Sequence, residues 1–419
     1  MKNNDDNSNV EKGNIYKPIY YGNWEEKILY DLAIWKNGLA FKNINFTDSG
    51  KPVIKIAELK NGITAQTKFT QDVFDDSVYL KKGDMLFSWS GNPETSIDVF
   101  YYNLPDGWLN QHIFKIQTKD SVFYRYFFYI LKYLKPNFIA IATNKQTTGL
   151  GHVTINDLKK LKIKLPPLEE QKKIASVLSS LDDKIELNNR MNKILEEMAQ
   201  TIFKEWFVNF NFPNEDGKPY KDSGGKMIES ELGAIPDGWE ITNLDYIVKV
   251  IKGKKPKEIS SKKTDLLSSQ YLTIDCYNNS NIEYTEYIEK MYVNKLDIIM
   301  VMDGASSGKL FYGKNGILSS TMAKFHVEDI YIKEIVFFFL KKIENEIMYH
   351  TTGSAIPHAN KHFILNKKIV LPPKKLFNLI NKLKMIREKI ILNTEENQKL
   401  DSIRDTLLPK LMSGEIKIK

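Results

Sequence analysis

A single cysteine, Cys276, stands in 419 residues, which removes any internal disulfide, thiolate zinc cluster or CxxC redox pair. Asp275 and Tyr277 beside it form no activating pattern, so the thiol reads as buried or incidental. Such sparing use of thiol fits a reducing, cytoplasmic setting. Long apolar runs are also missing. The richest, Phe123 to Leu134 and Ile335 to Leu340, fall short of the roughly 18 to 20 residues that a membrane span requires, so no membrane segment is expected. Met1 to Val10 is rich in Asn and Asp, and residues 1–14 read as a disordered tail with no secretion signal. Histidine is scarce too: His112, His152, His326, His350, His358 and His362 match neither HExxH nor another metal spacing.

Catalytic motifs fail in the same way. No GxGxxG follows a strand-like run. The stretch from Gly304 to Lys309 is one residue short of a phosphate-binding loop, with Leu310 where Ser or Thr would hold magnesium. No nucleophile, base and oxyanion set assembles from these residues, so the chain is expected to be non-catalytic, without metal or cofactor of its own. Core material, by contrast, is ample, with 42% hydrophobic and 12% aromatic residues, and wholesale disorder is excluded. A formal charge of +8 tolerates a polyanionic partner without demonstrating one.

The chain is written twice. Trp24 and Trp239 open the copies, Asp84 and Asp297 fall together, and the apolar runs Tyr129 to Leu131 and Phe338 to Leu340 match. Thr147 Thr148 Gly149 with His152 then matches Thr351 Thr352 Gly353 with His358, and each copy reaches Leu-Pro-Pro, at Leu165 and Leu371. Residues 15–165 and 212–371 show short alternating strands plus one helical run each, around Tyr124 to Leu134 and Lys333 to Lys342. The expected fold is therefore α+β: two repeated α/β domains separated by two long helices, at 166–211 and 372–419.

Those helices carry the strongest periodic signal. Ile174, Leu178, Leu181, Ile185, Asn188, Asn192, Leu195, Ala199, Ile202 and Trp206 recur at alternating steps of four and three, a coiled-coil seam. Adding 205 to each gives Leu379, Leu383, Ile386, Ile390, Asn393, Asn397, Leu400, Arg404, Leu407 and Leu411, with only Arg404 breaking type. Pro409 is expected to end the second helix before Leu411. Polar residues at core positions fix register at a cost in stability, so antiparallel packing is expected to set Asn188 against Asn397 and Asn192 against Asn393. About 38 residues make a rod roughly 55 to 60 Å long.

Divergence between the copies gathers in loops. Ser88, Trp89, Ser90 and Asn92 face a second-copy stretch containing Asp303, Ser306, Ser307 and Lys309, and Gln111 with His112 faces Thr321. Amides, hydroxyls and cations are the side chains that read base edges, which makes these residues and His358 candidate DNA contacts. Lys252, Lys254, Lys255 and Lys257 suit phosphates, with Lys60, Lys145 and Gln146 as weaker counterparts.

This layout resembles the specificity subunit of type I restriction-modification systems. The resemblance covers nearly all of the chain beyond the tail and rests on three stretches. Leu165 Pro166 Pro167 Leu168 Glu169 Glu170 Gln171 leads into a helix ending in Lys204 Glu205 Trp206 Phe207 Val208 Asn209 Phe210. Ile235 Pro236 Asp237 Gly238 Trp239 opens the second copy, and Arg404 to Glu415 resembles the family's ending. Lys374 Lys375 departs from the Glu-Glu-Gln pattern. The resemblance implies two target-recognition domains, each reading half of a split, asymmetric sequence in double-stranded DNA. It also implies two modification subunits using S-adenosylmethionine, and restriction subunits using ATP and magnesium. A rod near 55 Å would then space the two readers on the order of 12 to 18 base pairs apart.

Overall fold

The computed structural model describes residues 24–42, 44–146, 149–278, 281–353 and 355–418. The tail expected over 1–14, and Thr147 and Thr148, lie outside the described residues. Two compact units divide the chain: one runs to Glu186 and resumes at Glu396, and the other is Leu187–Glu395. The division falls within the long helices rather than at their ends, because each helix gives one half of its length to each unit.

Both units are built on one strand order. In the first, an antiparallel sheet runs Ala33–Asn37, Ile113–Thr118, Met85–Ser88, Asp98–Tyr101. In the second the corresponding sheet is Lys249–Lys252, Met322–His326, Ile298–Val301, Leu310–Tyr312. A second sheet repeats as well: Phe69–Thr70, Lys51–Ile54, Gly107–Leu109, Tyr79–Leu80 against Glu283–Thr285, Ser269–Leu272, Gly316–Leu318, Tyr292–Val293, each with a parallel central pair. Strands at the two ends of each α/β domain close on each other, Glu25–Ile28 with Lys162–Leu165 and Glu240–Asn243 with Lys368–Leu371. That pairing delivers the chain to the start of each long helix.

The matched aspartates are structural. Asp84 accepts from the Lys81 amide and pairs with Lys115 at 2.8 Å, while Asp297 accepts from the Asn294 amide and faces Lys324. The apolar runs form helices Tyr124–Tyr133 and Lys333–Lys342, each packed into the core of its own domain.

The long helices are Leu168–Phe203 and Phe377–Met412, 36 residues each, about 54 Å at 1.5 Å per residue. A π-helical turn, Lys204–Val208, extends the first. Every seam position is buried or half-buried. In the first unit Asp182 meets Arg404 at 2.8 Å and Lys184 meets Glu396 at 3.2 Å, so the two segments run antiparallel. In the second unit Asn393 Nδ2 donates to Asn192 Oδ1 at 2.8 Å and Lys382 lies over the Trp206 ring, again antiparallel. The Asn192–Asn393 rung is therefore in place, and Asn188 and Asn397 are each buried. The helices also complete the cores of the two domains. Ile174, Ala175 and Leu178 with Leu411 and Met412 enter the first, and Ala199, Phe203, Ile380 and Leu383 enter the second.

One expectation fails. Pro409 lies inside the second helix, which continues to Met412. Proline removes one amide and crowds the carbonyl four residues earlier, but only three residues follow it in the helix. Burial of Leu411 and Met412 at 2% and 4% exposure offsets the lost bond, at roughly 1.5 to 3 kcal/mol per fully buried side chain.

Asp98 gives the first unit a pH dependence. Burial pushes its carboxyl up, but Lys132 at 2.8 Å and Lys135 at 2.6 Å outweigh this and hold it below its ordinary value of 3.8. A depressed carboxylate stabilises the fold above its ordinary pKa, and the contribution is lost as pH falls through the folded value. The first unit's melting temperature is thus expected to fall more steeply below pH 4 in the wild type than in Asp98→Asn. Parallel acid profiles for the two would contradict this.

Candidate nucleic-acid interface

Each α/β domain gathers its divergent loop residues at the same point of the scaffold. After strand Met85–Ser88 the chain makes a short strand, Ser90–Gly91, which pairs with Gly151–His152 and sets His152 opposite Ser90. After Ile298–Val301 the same path sets Asp303 opposite His358 through an antiparallel bridge. The equivalences Ser90 with Asp303 and His152 with His358, legible in the sequence repeat, are thus built into the backbone. Likewise the Trp89 amide donates to the His112 carbonyl, and the Met302 and Asp303 amides to that of Thr321.

Around the first junction, Trp89 stacks on Phe114 with centroids 5.7 Å apart and its Nε1 donates to Asn37 Oδ1 at 3.1 Å. His112 lies against the Trp89 ring, with Gln111 Nε2 3.2 Å from its Nε2. Two amides, an indole and one imidazole share one partly exposed face, while His152 stands across from Ser90 on the paired strand. Asn37 was not singled out in the sequence; its signal was its place at the end of the strand leading to Gly38.

Around the second junction the chemistry is charged. Asp303 takes Lys252 Nζ on Oδ2 at 2.8 Å and His358 Nδ1 on Oδ1 at 2.7 Å. Burial raises the Asp303 carboxyl, but the hydrogen bonds and charges of Lys252 and His358 win and hold it below the ordinary value. It is therefore ionised at neutral pH, an acceptor of the kind that meets cytosine N4. Thr321 is exposed beside it, with its hydroxyl 3.1 Å from that of Ser319.

Glycine is obligatory at the floor of both sites. A Cβ on Gly38 would stand 2.2 Å from the Asn110 carbonyl oxygen, and one on Gly253 2.2 Å from that of Ser319. Both neighbours are backbone and cannot yield, so the strand end approaches the loop as no side chain would permit.

The remaining candidates divide. Lys254, Lys255 and Lys257 are exposed, on the loop that follows Lys252. Gln146 is exposed, but Lys145 bonds both carboxylate oxygens of Asp157 at 2.5 Å. Asn92 caps the helix Pro93–Ser96 by accepting from the Thr95 amide. Lys60 ends the helix Ile56–Asn61 and feels Asp98 and Lys135 rather than the Trp89 cluster. Ser88 is fully buried and donates to the Ser96 carbonyl. Ser307 is buried with its hydroxyl aimed at the Met302, Gly304 and Pro357 carbonyls. Ser306 accepts the Lys309 amide through its carbonyl, and Lys309 lies over the Phe311 ring. Gly304 to Lys309 thus joins two antiparallel strands as a hairpin turn, not the strand-to-helix passage of a phosphate loop. Among the described residues no group of three or more His, Cys, Asp or Glu could hold a metal ion. Nor is any helix long and apolar enough to cross a membrane.

A family model for the type I restriction modification DNA specificity domain matches residues 21–197 and again 236–401. The chain belongs to this family. The two matched segments are the two units' readers with their helices, so the family's repeat and the strand order coincide. Among its relatives, the type I restriction enzyme MjaIX specificity subunit of Methanocaldococcus jannaschii is 28% identical, the alignment covering 88% of this chain and 93% of that one. The HindI specificity subunit of Haemophilus influenzae is 24% identical over 80% of this chain and 87% of its own. In fold, the crystal structure of the type I S subunit from M. genitalium superposes with a TM-score of 0.59 at 17% identity, covering 93% of this chain and 96% of that one.

Proposed function

We propose that this chain is the sequence-reading subunit of a type I restriction-modification complex, with each reader taking one half of a bipartite, asymmetric target in double-stranded DNA. One observation carries the reading: a single scaffold is built twice, and the same junction holds Trp89, Ser90, His112 and His152 in one copy but Lys252, Asp303, Thr321 and His358 in the other. Two like frames with unlike side chains suit two unlike half-targets. The chain itself performs no chemistry. Methyl transfer from S-adenosylmethionine belongs to modification subunits, and ATP- and magnesium-dependent steps to restriction subunits, all acting in the cytoplasm.

The helices offer a place for two modification subunits. Leu187 and Met198 on the first, and Leu392 and Ile403 at the matching positions of the second, are apolar yet 46% to 59% exposed. Their recurrence at equivalent positions of the two helices supports a contact made twice. Lysine at Leu187 or Leu392 is expected to halve the modification subunit recovered with the purified chain, and at both to abolish recovery. Unchanged recovery in the double variant would exclude this face.

Mapping methylated adenines across the genome with and without this gene tests the whole reading. A split motif that disappears on deletion is expected. Methyl transfer by the isolated chain would overturn it.

A further inference from the structure

The two readers sit on their own helices through contacts of opposite charge. In the first unit the reader helix Tyr124–Tyr133 brings cation and hydroxyl to carboxylates. Arg125 meets Asp183 at 3.2 Å, and the Tyr129 hydroxyl donates to Asp182 at 2.6 Å. In the second unit the reader helix Lys333–Lys342 brings an anion to a cation, with Glu334 meeting Arg387 Nη1 at 2.6 Å. Arg125 and Asp182 occupy the positions of Glu334 and Arg387 in the repeat, although Arg125 pairs with the neighbouring Asp183 and Asp182 also takes Arg404 at 2.8 Å. The register that sets Leu178 beside Leu383 sets Asp182 beside Arg387, and the one that sets Tyr129 beside Phe338 sets Arg125 beside Glu334. The aromatic floor is common to both: Tyr101 stacks on Phe128 in one and Tyr312 on Phe337 in the other.

The helix starts diverge to match. Gln171 accepts from the Phe123 amide and donates to the Ser121 and Pro166 carbonyls, and Glu170 accepts from Trp24. In the second unit, where Lys374 Lys375 breaks the Glu-Glu pattern, the contact is aromatic, with Tyr331 stacked on Phe377.

Exposure separates the two seats. Arg125 and Asp183 are more than half exposed, whereas the Arg387 and Glu334 side chains are 1% and 4% exposed. Arg387 also donates to the Lys295 and Asp297 carbonyls and lies 3.8 Å from the Tyr312 ring centroid. Lys333 and Lys324 flank the pair through Asp297. A mismatched charge in water is screened, but one beside a buried guanidinium and two lysines is not.

We infer that the reader seats are keyed by charge: the second seat accepts only a reader whose helix carries an acid at the Glu334 position, while the first tolerates either sign. The chain's two readers are therefore not interchangeable between the two helix seats, and Arg387 with Glu334 sets which reader the second seat accepts.

The test uses the full chain and its melting temperature, which does not depend on DNA recognition. Glu334→Arg should lower the melting temperature by about 10 °C or more, and adding Arg387→Asp should restore at least half of that loss. Arg125→Glu at the exposed seat should move it by no more than about 2 °C. A double variant that melts no higher than Glu334→Arg would overturn the inference, as would an Arg125→Glu effect equal to that of Glu334→Arg. As a second measurement, a chain carrying residues 25–165 in place of 240–371 should melt higher with Arg387→Asp than without. Equal melting of those two chimaeras, high or low, also overturns it.

Discussion

Methionine in place of Arg387 is expected to destabilise the second unit by about 3 to 5 kcal/mol, the cost of leaving one partner of a buried ion pair behind. The loss should appear as a lower urea midpoint with an unchanged slope. Glu334 would be left in the core with the Tyr312 hydroxyl, 3.3 Å away, as its remaining side-chain partner. Burial already raises its carboxyl above the ordinary value even with Arg387 opposing that rise. Without the guanidinium the folded state favours the protonated acid more strongly, so the deficit should narrow as pH falls from 8 towards 5. Arg387→Met combined with Glu334→Leu should recover most of the stability, because a pair replaced by apolar groups strands no charge. A loss under about 1 kcal/mol for Arg387→Met would show that water reaches the pair.

The second large effect lies at the face proposed to read bases. Replacing Asp303 and His358 together by alanine is expected to weaken binding to the cognate target about 100- to 1000-fold, taking roughly 1 to 3 kcal/mol for each base contact. The effect should be confined to one half of the target. Alanine at Lys254, Lys255 and Lys257 should instead weaken binding to every sequence alike and flatten its dependence on salt, since those side chains suit phosphates and release counterions. Titrations of labelled duplexes at several salt concentrations separate the two patterns. An Asp303–His358 variant that loses salt dependence, or affinity for all sequences equally, would remove these residues from base recognition.

Periodicity made the scaffold legible and left the site only half so. The seam from Ile174 to Trp206 and its echo from Leu379 to Leu411 could be read because a 3.5-residue repeat of apolar side chains suits little besides one helix packed along another, and the Asn192–Asn393 rung followed from register alone. Pro409 misled because its local penalty was weighed without the burial of Leu411 and Met412 that outweighs it. At the loops, composition named Trp89, His112, Asp303 and His358, all of which meet at the two junctions. It could not tell a hydroxyl facing water from one turned inward, so Ser88 and Ser307 were named alongside residues that are exposed. Asn37 and Lys252 reach their sites across sheet pairings, and only the strand order brings them there. The opposed charges at Asp182 and Arg387 lie off the apolar seam, and only the fold brings them to their partners on the reader helices.

Two independent readers on a duplicated frame make one sharp claim about the modified genome. The decisive measurement is the methylated-adenine motif in cells whose only copy of the gene carries Asp303→Ala and His358→Ala. The account predicts that one half of the motif becomes degenerate while the other half and the spacer between them are unchanged. Loss of definition in both halves together, or a motif that was continuous to begin with, would contradict it.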